Sequence, residues 1–132
     1  MQKIFLHGLL AGLVSAIVCL FYSEVYSTSL QVDFSDVINI FSVMGTCLFG
    51  SLIASAGYYF LSTKLSDGDV TDVLFNITFL TLTFLSCIYP FSVQLPLELD
   101  SPELFPGLVI PMHFFPVLFW IAFNPIFKHG RT

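Results

Sequence analysis

Residues 37–63 read VINIFSVMGTCLFGSLIASAGYYFLST, 27 positions without one Lys, Arg, Asp or Glu. The hydrocarbon core of a bilayer is about 30 Å thick and takes about 20 helical residues to cross, so this stretch is long enough to span it. No water is available there to bond the backbone, so its polar groups must pair within the segment, which makes it a helix. Nothing in it alternates as a barrel strand would. Three further charge-free runs share these properties: Ile4–Ser23, Val73–Leu97 and Leu104–Phe127. The chain is read as an all-α integral membrane protein. Its single domain, 1–132, carries spans at about 4–23, 37–63, 73–93 and 105–127, packed up-down-up-down as a four-helix bundle.

Composition agrees. Of the 132 residues, 56% are hydrophobic and 10% charged, against about 25% charged in a soluble domain. Sixteen Phe and a mean hydropathy of +0.89 point the same way. The chain is too apolar to be disordered, its net charge of −5 offers nothing to nucleic acid, and three Cys cannot all pair in a disulfide framework. The first run lacks a small-x-small cleavage site close behind it. Val18 also stands where a lipoprotein would need a small residue before Cys19. It is therefore expected to stay as a span.

Lys3, Lys64, Lys128 and Arg131 fall on one side of the four spans, while the segments Glu24–Asp36 and Glu98–Glu103 hold no Lys or Arg. The positive-inside rule places that side, with both termini, in the cytoplasm of a bacterial inner membrane. Ser66-Asp67-Gly68-Asp69 is a turn before an N-cap at Asp69 or Thr71. Asp67, Asp69 and Asp72 read as its solvated face, because the distant bidentate Glu of a Ca²⁺ loop is missing. Asp100, Pro102 and Glu103 mark a helix start, and Pro106 follows so soon that a short turn is expected ahead of the fourth span. Tyr22, Tyr26 and Tyr89 at the outer boundary, with Tyr58 and Tyr59 at the inner one, read as an aromatic belt.

Small residues set the expected packing. Gly8, Gly12 and Ala16 form one stripe of span one, and Gly50, Ala54 and Gly57 form another on span two. Counted from the inner edge, Gly8 matches Gly57, Gly12 matches Ala54, and Ala16 matches Gly50, with Gly45 off the row. Such small-xxx-small rows let helix backbones approach closely in lipid. Span three has no Gly but carries Asn76, Thr78, Thr81, Thr83 and Ser86, whose hydroxyls can bond their own preceding turn.

No charged residue is expected in the middle of a span, so ion-coupled chemistry would fall to His113. It lies in Pro111-Met112-His113-Phe114-Phe115-Pro116. Pro111 and Pro116 free the carbonyls of Gly107 and Met112. On a kinked helix these two carbonyls and the imidazole could take a cation, a water file or a substrate. A second constellation, His7, Asn76, Asn124 and Tyr58, is expected at the inner end as structural glue. His7 and His113 differ too much in depth to share a haem, and the absence of CxxC argues against quinone-linked disulfide chemistry. Cys19 and Cys87 share a depth but read as packing residues.

No catalytic residue, metal or cofactor is assigned from these residues. The leading functional expectation is a non-enzymatic subunit or oligomeric component of a membrane assembly. Its partners would be the bilayer and other membrane subunits or further copies of itself, with no nucleic acid. Behind it stand a small oligomeric channel or transporter using His113, Met112, Pro111 and Pro116, and then a membrane enzyme acting on a lipid or small lipophilic substrate.

Overall fold

The computed structural model describes residues 2–92 and 101–128. It is all helical: α1 Gln2–Leu30, α2 Ile40–Lys64, α3 Gly68–Ser86, a single turn α4 Tyr89–Ser92, a 3₁₀ turn Pro102–Leu104, and α5 Phe105–Lys128. Four helical stretches are long and apolar enough to cross a membrane, with Gly68–Ser92 counted as one of them. That marks the chain as a membrane protein. Met1, the end of the third charge-free run at Leu97, Glu98, Asp100, Arg131 and Thr132 lie outside the described residues.

The helix ends follow local chemistry. Asn39 and Ser42 close a capping box on α2, with the Ser42 amide donating to Asn39 Oδ1 at 2.8 Å. The N-cap of α3 is Asp67, not Asp69 or Thr71: its carboxylate accepts from the amides of Asp69 and Val70, while the Thr71 hydroxyl donates back to the Asp67 carbonyl at 2.7 Å. The earlier residue wins because only its side chain precedes the orphan amides. The 3₁₀ turn stands where Pro102 and Pro106 led one to expect a short turn.

Helix α1 runs through Glu24 to Leu30, seven residues past its charge-free run, and stops where Gln31 takes a left-handed φ of 55°. The following loop folds back. Val32 and Phe34 are buried with Phe105 and Leu108, Phe34 meeting Phe105 edge to face at 5.6 Å. In the same loop the Ser35 amide, 2.8 Å from Asp33 Oδ1, holds that carboxyl below the usual range.

Helices α1 and α2 meet through small residues. A Cβ built on Gly8 would lie 2.7 Å from the Ser51 carbonyl oxygen and against the Ser55 side chain; one on Gly12 would lie 3.1 Å from the Cys47 carbonyl oxygen. Ala16 packs with Cys47 and Val43. The facing row on α2 is thus Cys47, Ser51 and Ser55, one residue around the helix from the expected Gly50, Ala54 and Gly57. Ser55 donates to the Ser51 carbonyl at 3.0 Å, which folds its hydroxyl into its own helix and makes it compact. Ala54 stays buried beside Ala11, but Gly50 has nothing within 4 Å of its Cβ position, and Gly57 meets only the Phe75 ring at 3.8 Å.

Aromatic side chains join α3 to α5. Phe75 and Phe79 lie 5.1 and 6.2 Å from the Trp120 ring, and Phe84 meets Phe114 at 5.0 Å. Small residues draw α1 and α2 together; large rings hold α3 on α5, while α3 meets α2 at Tyr58, which packs edge to face on Phe75 at 5.2 Å. A gap is left between α2 and α3.

Candidate functional site

Between α2 and α3, floored by α5, lies an open cleft of about 740 Å³. Gly50, Ile53 and Gly57 form one wall, Leu74, Thr78 and Leu82 the other, and Met112, His113 and Pro116 the floor. The two glycines that do not meet α1 therefore line the cleft. His113 is half-buried, and its Nδ1 donates to the Val109 carbonyl of its own preceding turn at 2.8 Å. Among the described residues nothing bonds its Nε2.

The two carbonyls freed by proline are not left for a cation or a water file. The Tyr22 hydroxyl donates to the Gly107 carbonyl at 2.9 Å, and the Cys19 thiol points at the Met112 carbonyl at 3.6 Å. Tyr26 adds a bond to the Leu104 carbonyl at 2.8 Å. Residue numbers rise along α1 as they fall along α5, so one face of α1 supplies a ladder of donors to α5. Tyr22 and Tyr26, expected only as boundary aromatics, are thus structural donors. Their signal in the sequence was the matching of hydroxyls on span one to prolines on span four, read there only as separate features. Helix α5 itself is unbroken through Pro111, Pro116 and Pro125.

At the end of the bundle where residues near both termini meet, His7 is 2% exposed. Its ring is stacked between Trp120 and Phe127, at 4.2 and 4.7 Å, and Nε2 donates to the Trp120 carbonyl at 2.9 Å. Tyr58 is also buried, tilted against Trp120 at 5.7 Å, and donates to Asp72. The structure brings His7 and Tyr58 to one tryptophan. Asn76 and Asn124, both half-buried, join them by no hydrogen bond among the described residues. Asp72 corrects the solvated-turn reading: it is 5% exposed, because one turn into α3 it already faces α2.

The thiol that Cys19 meets is that of Cys47. Cys19 Sγ lies 3.8 Å from Cys47 Sγ, both thiols free and buried, while Cys87 is buried separately at the end of α3. Copper-phenanthroline, accepting two electrons as two protons are released, is expected to join Cys19 to Cys47. Peptide mapping after trypsin should show that bridge and an alkylatable Cys87; a Cys19–Cys87 bridge would contradict the packing of α1 on α2.

No family model matches this chain. No curated protein and no solved structure matches it either. The site therefore stands on its own residues. Among the described ones, no three metal-ligating side chains converge, and the only His, Cys, Asp or Glu lining the cleft are His113 and Cys47.

Proposed function

We propose that the protein is a non-enzymatic four-span component of a bacterial inner-membrane assembly, and that its working part is the cleft, which admits a hydrophobic molecule from the bilayer. The observation that carries this reading is the cleft itself: open, lined mainly by apolar side chains, with His113 the single imidazole and no carboxylate among its described lining residues. Acid–base or nucleophilic catalysis needs a second group in hydrogen-bond reach of the first, and none is bonded to His113 Nε2. Purification in mild detergent, followed by mass spectrometry of co-purifying proteins and extracted small molecules, tests both halves. Further membrane subunits and a hydrophobic compound recovered unchanged are expected. Turnover of that compound by the purified protein would make it an enzyme instead.

Transport is the second reading, favoured by the cleft's reaching His113. A pH-dependent flux in proteoliposomes that is lost in folded His113→Ala would establish it.

We place both termini in the cytoplasm and the spans in up-down-up-down order. Reporter tags before Met1 and after Thr132 should both give cytoplasmic signals, since every Lys and Arg is assigned to that side. A periplasmic signal from either tag defeats the orientation.

A further inference from the structure

The polar groups lining the cleft have nearly all committed their protons inward. Ser42 donates to the Asn39 carbonyl, Thr78 to Leu74, Thr83 to Phe79 and Ser86 to Thr83, at 2.7–2.9 Å. With the Cys19 proton directed at Met112, the Cys47 proton goes to Cys19. The His113 Nδ1–H is taken by Val109, so the neutral ring keeps its lone pair on Nε2. Thr46, on the exposed side, is the exception. Apart from it, the described lining of the cleft offers acceptors and no donors.

The lining runs from Ser42 to Leu61 on α2, about 28 Å of helix at 1.5 Å per residue. The cleft is thus a long slot, and Phe75 and Phe79 supply aromatic faces within it.

Resting on the proposed role of the cleft, we propose that the slot binds a lipophile bearing a phenolic or quinol hydroxyl on an apolar chain, its O–H donating to His113 Nε2. A quinone or an ether of the same size offers only acceptors to a lining that already has them. Such a molecule leaves lone pairs facing lone pairs, and an unmade hydrogen bond in an apolar site is costly.

The test uses the whole chain in lipid nanodiscs and two probes, 4-octylphenol and 4-octylanisole, which differ in the one donor. Trp120 is the only tryptophan, and Phe75 and Phe79 connect it to the slot, so its emission excited near 295 nm reports occupancy. The phenol is expected to bind about five-fold tighter than the ether, the worth of one neutral hydrogen bond. His113→Phe should abolish that difference. Gly50→Phe, whose ring enters open space, should weaken both probes at least ten-fold. Equal affinity of the two probes for the unaltered protein overturns the donor inference and leaves the proposed role of the cleft standing. No binding of either overturns both. A preference for the phenol that persists in folded His113→Phe removes His113 as the acceptor. The comparison in the unaltered protein needs no variant to fold.

Discussion

Gly8→Ala is expected to destabilise the protein by about 1–3 kcal/mol, the usual cost of inserting a methyl where a packed interface has no room, and Gly8→Leu to prevent folding. The added Cβ would meet the Ser51 carbonyl at 2.7 Å and the Ser55 hydroxyl. Ser55 could turn aside only by giving up its bond to Ser51, and the carbonyl belongs to the backbone of α2 and cannot turn at all. The helices must separate, and in lipid that forfeits the close packing that holds them together. Gly50→Ala is the control. Its Cβ meets nothing within 4 Å, and Ala is about 1 kcal/mol better than Gly in a helix, so it should be neutral or slightly stabilising. Unfolding in mixed micelles with rising SDS would separate the two. Equal midpoints for Gly8→Ala and Gly50→Ala would mean that α1 does not sit on Ser51 and Ser55.

His7→Ala should cost about 3 kcal/mol, near the lower end of the range for truncating a buried ring. The change empties the space between Trp120 and Phe127 and leaves the Trp120 carbonyl without its side-chain donor. His7→Phe separates these contributions. It keeps a ring in the stack and loses the hydrogen bond to Trp120, and such a bond in membrane proteins averages about 0.6 kcal/mol. The same SDS titration checks both variants. If His7→Phe were as damaging as His7→Ala, the hydrogen bond rather than the stack would be what holds α1 to α5 at that end.

The four helices were legible because charge is so costly in lipid that a run of about 20 residues free of it is the mark of a span. Interfaces were harder, for a definable reason. Glycine looks like the smallest residue in a sequence, but a serine is small enough for the same place: Ser51, and Ser55 folded onto its own preceding turn, face α1 where glycine and alanine were expected. One residue around a helix is about 100°, enough to move a wall of the cleft onto the wrong partner. His7 was expected among the structural polar residues, yet its stacking partners Trp120 and Phe127 left no mark among so many aromatics. Asp72 misled for a related reason: an acid three residues from a turn reads as solvated unless one knows that Tyr58 waits on the neighbouring helix. Cys19 and Cys87 share a depth in the sequence, but the thiol beside Cys19 is Cys47, which only the angular position of each helix could show.

The donors that α1 extends to α5 bear on how the chain is made. Synthesis delivers α1 before α5, so until α5 is made α1 holds Cys19, Tyr22 and Tyr26 without their acceptors. Helix α5 would then enter the bilayer with two carbonyls stripped of their partners by Pro111 and Pro116, and a bare carbonyl in hydrocarbon is expensive. Insertion of α5 is thus coupled to docking on α1. A ribosome that stops before Phe105 leaves α1 with its donors unanswered, a ready signal for membrane proteases that remove incomplete chains.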